Sequence, residues 1–157
     1  GEVNRMSDSM EVRKQQYKDW AKDNLGEKTG IWYAPYLEKL GSLLNRFGLG
    51  SSYFENFFYY KTFDEFQEVY QKITGDTDSS LSEILKGKRK NYTKEFVEIN
   101  ETFKQQYAKI EYENGTRSQP TNYGGIAQLG TILRSYLKFL FYAENQEKTK
   151  PKKEQKT

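Results

Sequence analysis

The chain has 157 residues, enough for one domain with a hydrophobic core, and 35% of them are hydrophobic and 16% aromatic. The aromatic content favours a folded chain, because disordered chains are poor in aromatic residues. There is no cysteine or histidine and the formal net charge is +3, which excludes disulfides, thiolate or imidazole metal sites and Ser-His or Cys-His catalysis.

Two helices are predicted in the first third of the chain. The first begins at Ser9 and ends at Gly26, and its apolar residues recur at helical spacing. Those residues are Met10, Tyr17, Trp20, Ala21 and Leu25. The second helix covers about 31–47 and is expected to begin near Trp32, because Pro35 is tolerated only in the first turn of a helix.

Residues 51–61 contain so many aromatic residues that periodicity cannot distinguish a short helix from an extended segment. A third helix is predicted directly after them. Thr62 and Glu65 have the spacing of a capping box, in which each side chain accepts from the other residue's backbone N–H. Gly75 closes this helix. Beyond it, Leu81, Ile84 and Leu85 indicate one or two short helical turns.

A basic run separates these turns from the next helix. Its five basic residues, with no acid between them, are Lys86, Lys88, Arg89, Lys90 and Lys94. The amphipathic helix that follows has the most regular pattern in the chain. Its apolar positions are Tyr92, Phe96, Ile99, Phe103, Tyr107 and Ile110, which predict about twenty helical residues. Residues 111–122 are predicted to be a loop from their Asn-Gly pair and proline.

The most apolar stretch, residues 123–142, reads YGGIAQLGTILRSYLKFLFY. It is not predicted to span a membrane, because an arginine or lysine at the bilayer centre costs ~2.5–3.5 kcal/mol and its polar residues line one stripe. That stripe consists of Gln128, Thr131, Arg134 or Ser135, and Lys138. The sequence therefore predicts a helix at the centre of a bundle, with Gly130 allowing another helix to approach closely.

These elements predict an all-α fold, a single orthogonal bundle of about five helices with a polar C-terminal tail. The bundle covers residues 10–143. Residues 1–9 are expected to be a disordered or cloning-derived N-terminus, and residues 144–157 a charged tail or linker. The N-terminus shows no apolar segment typical of a secretion signal, so a cytoplasmic location is expected.

Several stretches resemble a known type of helical domain. They are YKDWAKDNL (17–25), GEKTG (26–30), IWYAPYLEKLGSLLNRFG (31–48), DEFQEVYQKI (64–73) and YGGIAQLGTILRSYLKFL (123–140). Together they resemble the SAM-like, core-binding domains at the N-terminal side of tyrosine recombinases, and similar domains of bacterial McrB-like restriction proteins. The resemblance implies an accessory domain that binds duplex DNA. It also implies a separate C-terminal catalytic or ATPase domain.

Three groups of residues are candidates for DNA binding. The basic run 86–94 has the charge to neutralise phosphates and release counterions. Arg117, Gln119 and Asn122 precede the last helix, where free backbone N–H groups suit an anion. A simple turn and helix cap is the favoured interpretation of this segment. Arg134 and Lys138 lie one turn apart and can line a groove or pair with acidic residues on a neighbouring helix.

Other features are assigned to structure. The aromatic cluster Tyr53, Phe54, Phe57, Phe58, Tyr59 and Tyr60 is expected to pack in the core rather than stack on bases. The lysines of 148–156 are expected to form a solvated linker rather than a DNA-binding patch. Asp76 and Asp78 lack the later glycine and glutamate of a calcium loop. No metal or cofactor is therefore expected.

The sequence leaves three functions open. The first is a non-catalytic DNA-binding module of a larger restriction- or recombinase-like protein. The alternative is a protein–protein interaction or oligomerisation domain that uses the aromatic cluster and the last helix. A small carboxylate enzyme is the third, but its best acid pair, Glu111 and Glu113, lies in a polar loop, so the chain is not expected to be an enzyme.

Overall fold

The computed structural model describes the backbone of residues 2–46, 56–86, 92–106 and 126–155. These residues form six α-helices and one 3₁₀ turn and contain no strand, so the predicted all-α class is confirmed. The helices are α1 (Glu2–Asn24), α2 (Thr29–Arg46), α3 (Phe63–Thr74), α4 (Leu81–Lys86), α5 (Lys94–Gln106) and α6 (Ile126–Gln155), and the turn is Phe57–Tyr59.

Helix α6 is the centre of the bundle, as predicted, and contacts each of the other five helices. Between Leu129 and Leu140 every residue is buried except Thr131 and Lys138. Its burial is therefore due to packing against helices on most sides. None of the helices in the described part of the chain has the length and apolar character needed to cross a membrane.

Aromatic rings form the main contacts of the core. The ring of Tyr136 on α6 lies 4.9 Å from Phe66 of α3, 5.3 Å from Phe58 of the 3₁₀ turn and 5.8 Å from Tyr17 of α1, between ring centroids. Edge-on pairs at such distances add about 0.5–1.5 kcal/mol each beyond the burial of their surface. The Tyr136 hydroxyl donates to the Tyr60 carbonyl at 2.7 Å, so the ring is both packed and hydrogen-bonded.

The predicted limits of α3 are confirmed by its caps. The Thr62 hydroxyl accepts from the Glu65 N–H at 3.1 Å, and the Glu65 carboxylate accepts from the Thr62 N–H at 3.4 Å. At the other end Gly75 has a φ of +75°, in the left-handed region that glycine adopts without strain. Both ends of α3 are thus fixed by local sequence.

Three helix limits differ from the prediction. Helix α2 begins at Thr29, so Pro35 is its seventh residue and lies inside the helix; the expectation that it marks the first turn was wrong. Helix α1 begins at Glu2 rather than at Ser9, and α6 continues to Gln155 rather than ending near residue 142. Those terminal turns are rich in polar residues, so they lack the apolar periodicity on which the prediction relied.

Candidate nucleic-acid interface

The structure describes the two ends of the basic run 86–94. Lys86 is the last residue of α4 and Lys94 the first residue of α5, and both side chains are exposed. Lys88, Arg89 and Lys90 lie outside the described residues. The two described lysines therefore flank the connection between α4 and α5 on the surface of the protein.

The beginning of α4, which leads into the basic run, is fixed by a second capping box. The Ser80 N–H donates to the Glu83 carboxylate at 2.8 Å, and the Glu83 N–H donates to the Ser80 hydroxyl at 3.2 Å. Ile84 is fully buried and holds the helix against the core. The sequence analysis missed this box, although a serine followed three residues later by a glutamate is its usual pattern.

The far end of the run is attached to the end of α3 through Thr93. Its hydroxyl donates to the Ile73 carbonyl at 3.3 Å and accepts from the Phe96 N–H at 3.1 Å, and so caps α5. Its backbone N–H donates to the Thr74 carbonyl at 3.3 Å. A Cβ atom on Gly75 would collide with the Thr93 methyl group, so glycine here serves both the helix end and this contact.

Tyr92 is held against α6 beside Gly130. Its hydroxyl accepts from Arg134 Nη1 at 3.0 Å, and its ring lies 4.8 Å from that of Phe96. A Cβ atom at position 130 would overlap the Tyr92 hydroxyl and lie 3.0 Å from Arg134 Nη1. A close approach at Gly130 was predicted for another helix; in the structure it is made by the Tyr92 side chain.

Arg134, predicted to contact DNA, is buried with 3% of its surface exposed. Besides Tyr92, its guanidinium donates to the Tyr70 hydroxyl and to Thr131 Oγ1, each at 3.4 Å. The Tyr70 hydroxyl in turn donates to Asp76 Oδ2 at 2.7 Å. Arg134 thus reaches a carboxyl group through a tyrosine and is placed to hold Tyr92 rather than a phosphate.

Burial and hydrogen bonding shift the titration of this network. Burial raises the pKa of Tyr70 to about 12, and the hydrogen bond to Asp76 acts in the same direction while Arg134 opposes it. Burial by itself lowers the pKa of Arg134, but its hydrogen bonds to Tyr92 and Tyr70, together with its electrostatic interactions with them, outweigh that effect, so the pKa is raised. Arg134 therefore stays charged within the protein.

The remaining predicted DNA contacts are only partly described. Lys138 is half-buried, and desolvation together with the nearby Arg134 charge lowers the pKa of its amine. Arg117, Gln119 and Asn122 lie outside the described residues. Of the ten predicted contact residues, the structure therefore brings Lys86 and Lys94 to the surface, buries Arg134 and half-buries Lys138.

The exposed face of α5 beyond Lys94 is acidic. Glu95, Glu98 and Glu101 are all exposed on the first two turns. Carboxylates repel phosphates, so this face does not suit DNA. Along the exposed surface of α5 the charge therefore changes from positive at Lys94 to negative at these three glutamates.

A groove between α1 and α6 was missed by the sequence analysis. Its volume is about 350 Å³. Its lining residues are Gln16, Asp19, Trp20, Asp23, Asn24, Phe139, Tyr142, Ala143 and Gln146. The Trp20 and Phe139 rings form its floor, 5.9 Å apart between centroids, and the Tyr142 side chain is 47% exposed. Each helix contributes residues three and four apart, a spacing that the sequence already contained.

The aromatic cluster packs inside the protein where it is described. Phe57 and Phe58 are fully buried and Tyr60 is 5% exposed, so its assignment to the core is confirmed for these rings. Tyr53 and Phe54 lie outside the described residues. Asp76 is buried against Tyr70, and no group of three or more potential metal ligands occurs in the described part of the chain.

Comparisons with family models, curated proteins and solved structures found no match to this chain. The resemblance to SAM-like domains therefore stays a prediction.

Proposed function

We propose that this chain is a non-catalytic module that binds duplex DNA through the phosphates, using the basic run 86–94. The observation that carries the proposal is the position of Lys86 and Lys94, which are exposed on either side of a connection whose other three charged residues are all basic. Lysine and arginine side chains concentrated in this way displace the counterions of DNA, and this supplies most of the affinity for any sequence.

The attachment of the run supports the same proposal. Tyr92 and Thr93 are held by hydrogen bonds to α6 and to the end of α3, and the start of α4 by its capping box. A connection with fixed ends loses less conformational entropy on binding than a free one. Arg134 contributes through Tyr92, as a positioning residue.

The larger protein is proposed, on the resemblance alone, to be restriction- or recombinase-like. The alternative is a protein-interaction domain that uses the aromatic cluster and the last helix. The rings of Phe57 and Phe58 are buried and so are not available to contact a partner. The outer face of α6, where Tyr142 is exposed, remains available for such a contact.

The test is a titration of a fluorescein-labelled 20-base-pair duplex with the protein, followed by anisotropy at 50 and 200 mM salt. We expect saturable binding that weakens about tenfold or more over this range, since each neutralised phosphate adds about 0.9 to the slope of log K against log salt. Binding that does not respond to salt, or no binding at 50 mM salt, contradicts the proposal. Sedimentation velocity of the same samples tests the oligomerisation form of the alternative, for which the mass rises with protein concentration even without DNA.

A further inference from the structure

The groove between α1 and α6 combines two carboxylates with three aromatic rings. Asp19 and Asp23 lie four residues apart on α1 and point to the same side as Trp20, while Tyr142 faces them from α6. Neither carboxylate has a lysine or arginine within ion-pair distance among the described residues. The groove is thus a negatively charged concavity with an aromatic floor and wall.

The charges of these carboxylates are unfavourable for folding, although Asp19 Oδ1 accepts a hydrogen bond from Gln15 Nε2 at 3.0 Å. Like charges four residues apart on a helix destabilise it by about 0.2–0.5 kcal/mol. Asp23 also lies in the last turn of α1, where the free backbone carbonyls favour a cation and disfavour an anion. Lys22 occupies that turn but is not among the residues that line the groove. The local chemistry therefore favours a cation from outside.

We propose that the α1–α6 groove binds an arginine side chain of a partner protein. A guanidinium stacks on aromatic faces and pairs with carboxylates through two parallel N–H groups, so it matches both components of the lining. The volume of about 350 Å³ lies at the lower end of the range for binding sites and suits one side chain with part of its neighbours. The groove shares no residue with the basic run, and the proposal does not depend on DNA binding.

The experiment is an NMR titration of the full chain with arginine amide, compared with citrulline amide, which has the same shape without the charge. We expect saturable shifts of the Trp20 indole N–H and of backbone amides in 19–24 and 139–146 with arginine amide only. Equal shifts with both compounds, or no saturable shift with arginine amide, would overturn the proposal.

Two variants locate the effect. D19N/D23N should weaken binding of arginine amide by about tenfold or more, since charge-assisted contacts are lost, and should raise the thermal midpoint because it removes the unfavourable charges. E95Q/E98Q changes the net charge equally on α5 and should leave the titration unchanged. Equal weakening in both variants, or a lower midpoint for D19N/D23N, would overturn the proposal.

Other occupants give different results. If lysines of the chain's own tail filled the groove, a chain ending at Gln146 would bind arginine amide more tightly than the full chain. If a second copy filled it, the Trp20 indole shift would depend on protein concentration before any ligand is added. Either result would overturn the assignment to a partner protein.

Discussion

The two sides of α6 stabilise the bundle in different ways. On one side Tyr136 packs its ring against Phe58 and Phe66, with centroid distances of 5.3 and 4.9 Å. On the other side Arg134 is buried among hydroxyl groups and contacts Tyr92 and Tyr70. The first side gains its stability from buried apolar surface, whereas the second depends on the hydrogen bonds that Arg134 Nη1 donates to these two hydroxyl groups.

The ring contacts of Tyr136 stabilise the fold as a whole, whereas the hydrogen bonds of Arg134 position the residues beside the candidate interface. The ring side joins α6 to α1, α3 and the 3₁₀ turn, so its loss affects the whole bundle. The polar side joins α6 to Tyr92, which precedes α5 next to the basic run. Substitutions on the two sides should therefore have distinguishable effects on stability and on binding.

The largest effect is expected from Tyr136→Ala. Removing a fully buried aromatic side chain costs about 3–5 kcal/mol of unfolding free energy, because apolar contacts are lost and a cavity remains. Urea denaturation followed by circular dichroism measures the loss. Tyr136→Phe is the matched control and should lose only about 1 kcal/mol with the hydrogen bond to Tyr60. If the two variants were equally stable, the ring packing would not be the main contribution of this side.

A smaller effect is expected from Gly130→Ala on the polar side. The added methyl group collides with the Tyr92 hydroxyl, and overpacking of this kind costs about 1–3 kcal/mol. In a Tyr92→Phe background the hydroxyl is absent, so the same substitution should cost less. Urea denaturation of the four proteins gives the coupling between the two positions. An equal cost in both backgrounds would show that Tyr92 does not occupy this place.

High pH should lower the free energy of unfolding through the polar side of α6, because Tyr70 is part of its hydrogen-bond network. The ordinary pKa of tyrosine is near 10, whereas that of Tyr70 is raised to about 12. Between these values the unfolded chain releases the proton and the folded chain keeps it, so stability falls as the pH rises from 10 to 12. Burial also raises the pKa values of Tyr17 and Tyr136, so these residues contribute to the same loss of stability at high pH.

Thermal denaturation across this pH range tests the contribution of Tyr70. The variant Tyr70→Phe should start from a lower stability, because Asp76 and Arg134 lose a partner, and should then lose less as the pH rises. A parallel decline of the variant and the parent would assign the effect to the other buried tyrosines.

The helices of the centre could be predicted because their determinants are local. The capping box at Thr62 and the glycine at position 75 fix α3, and apolar spacing places α6. The predicted start of α2 was wrong because it relied on a local rule, that proline occurs only in the first turn of a helix. In the structure α2 is stabilised by packing against the rest of the protein, and Pro35 itself is buried. Propensity and pattern yield to such tertiary contacts.

The chemistry of Arg134 could not be predicted for a different reason. Periodicity places Arg134 near polar neighbours on α6, but its partners Tyr70 and Tyr92 lie 64 and 42 residues away in the chain. No local rule identifies hydroxyls at such distances. The groove between α1 and α6 depends in the same way on two helix faces from opposite ends of the sequence.

The most direct test of the DNA-binding proposal compares two triple variants with equal loss of charge. K88A/R89A/K90A removes the centre of the basic run, and K22A/K28A/K39A removes three exposed lysines elsewhere. Substitutions of exposed residues such as Lys22, Lys28 and Lys39 usually change stability by no more than about 0.5 kcal/mol, and circular dichroism of both variants checks that each keeps the parent's helical spectrum. Anisotropy titrations of the same duplex then measure their affinities and salt dependence.

We expect the first variant to lose about tenfold or more in affinity and to show a salt slope lower by about 2–3, since about 0.9 is lost for each phosphate contact removed. The second variant should bind nearly as the parent does. Equal losses in the two variants would show that only net charge matters, and full affinity in the first would contradict the assignment of the interface to residues 86–94.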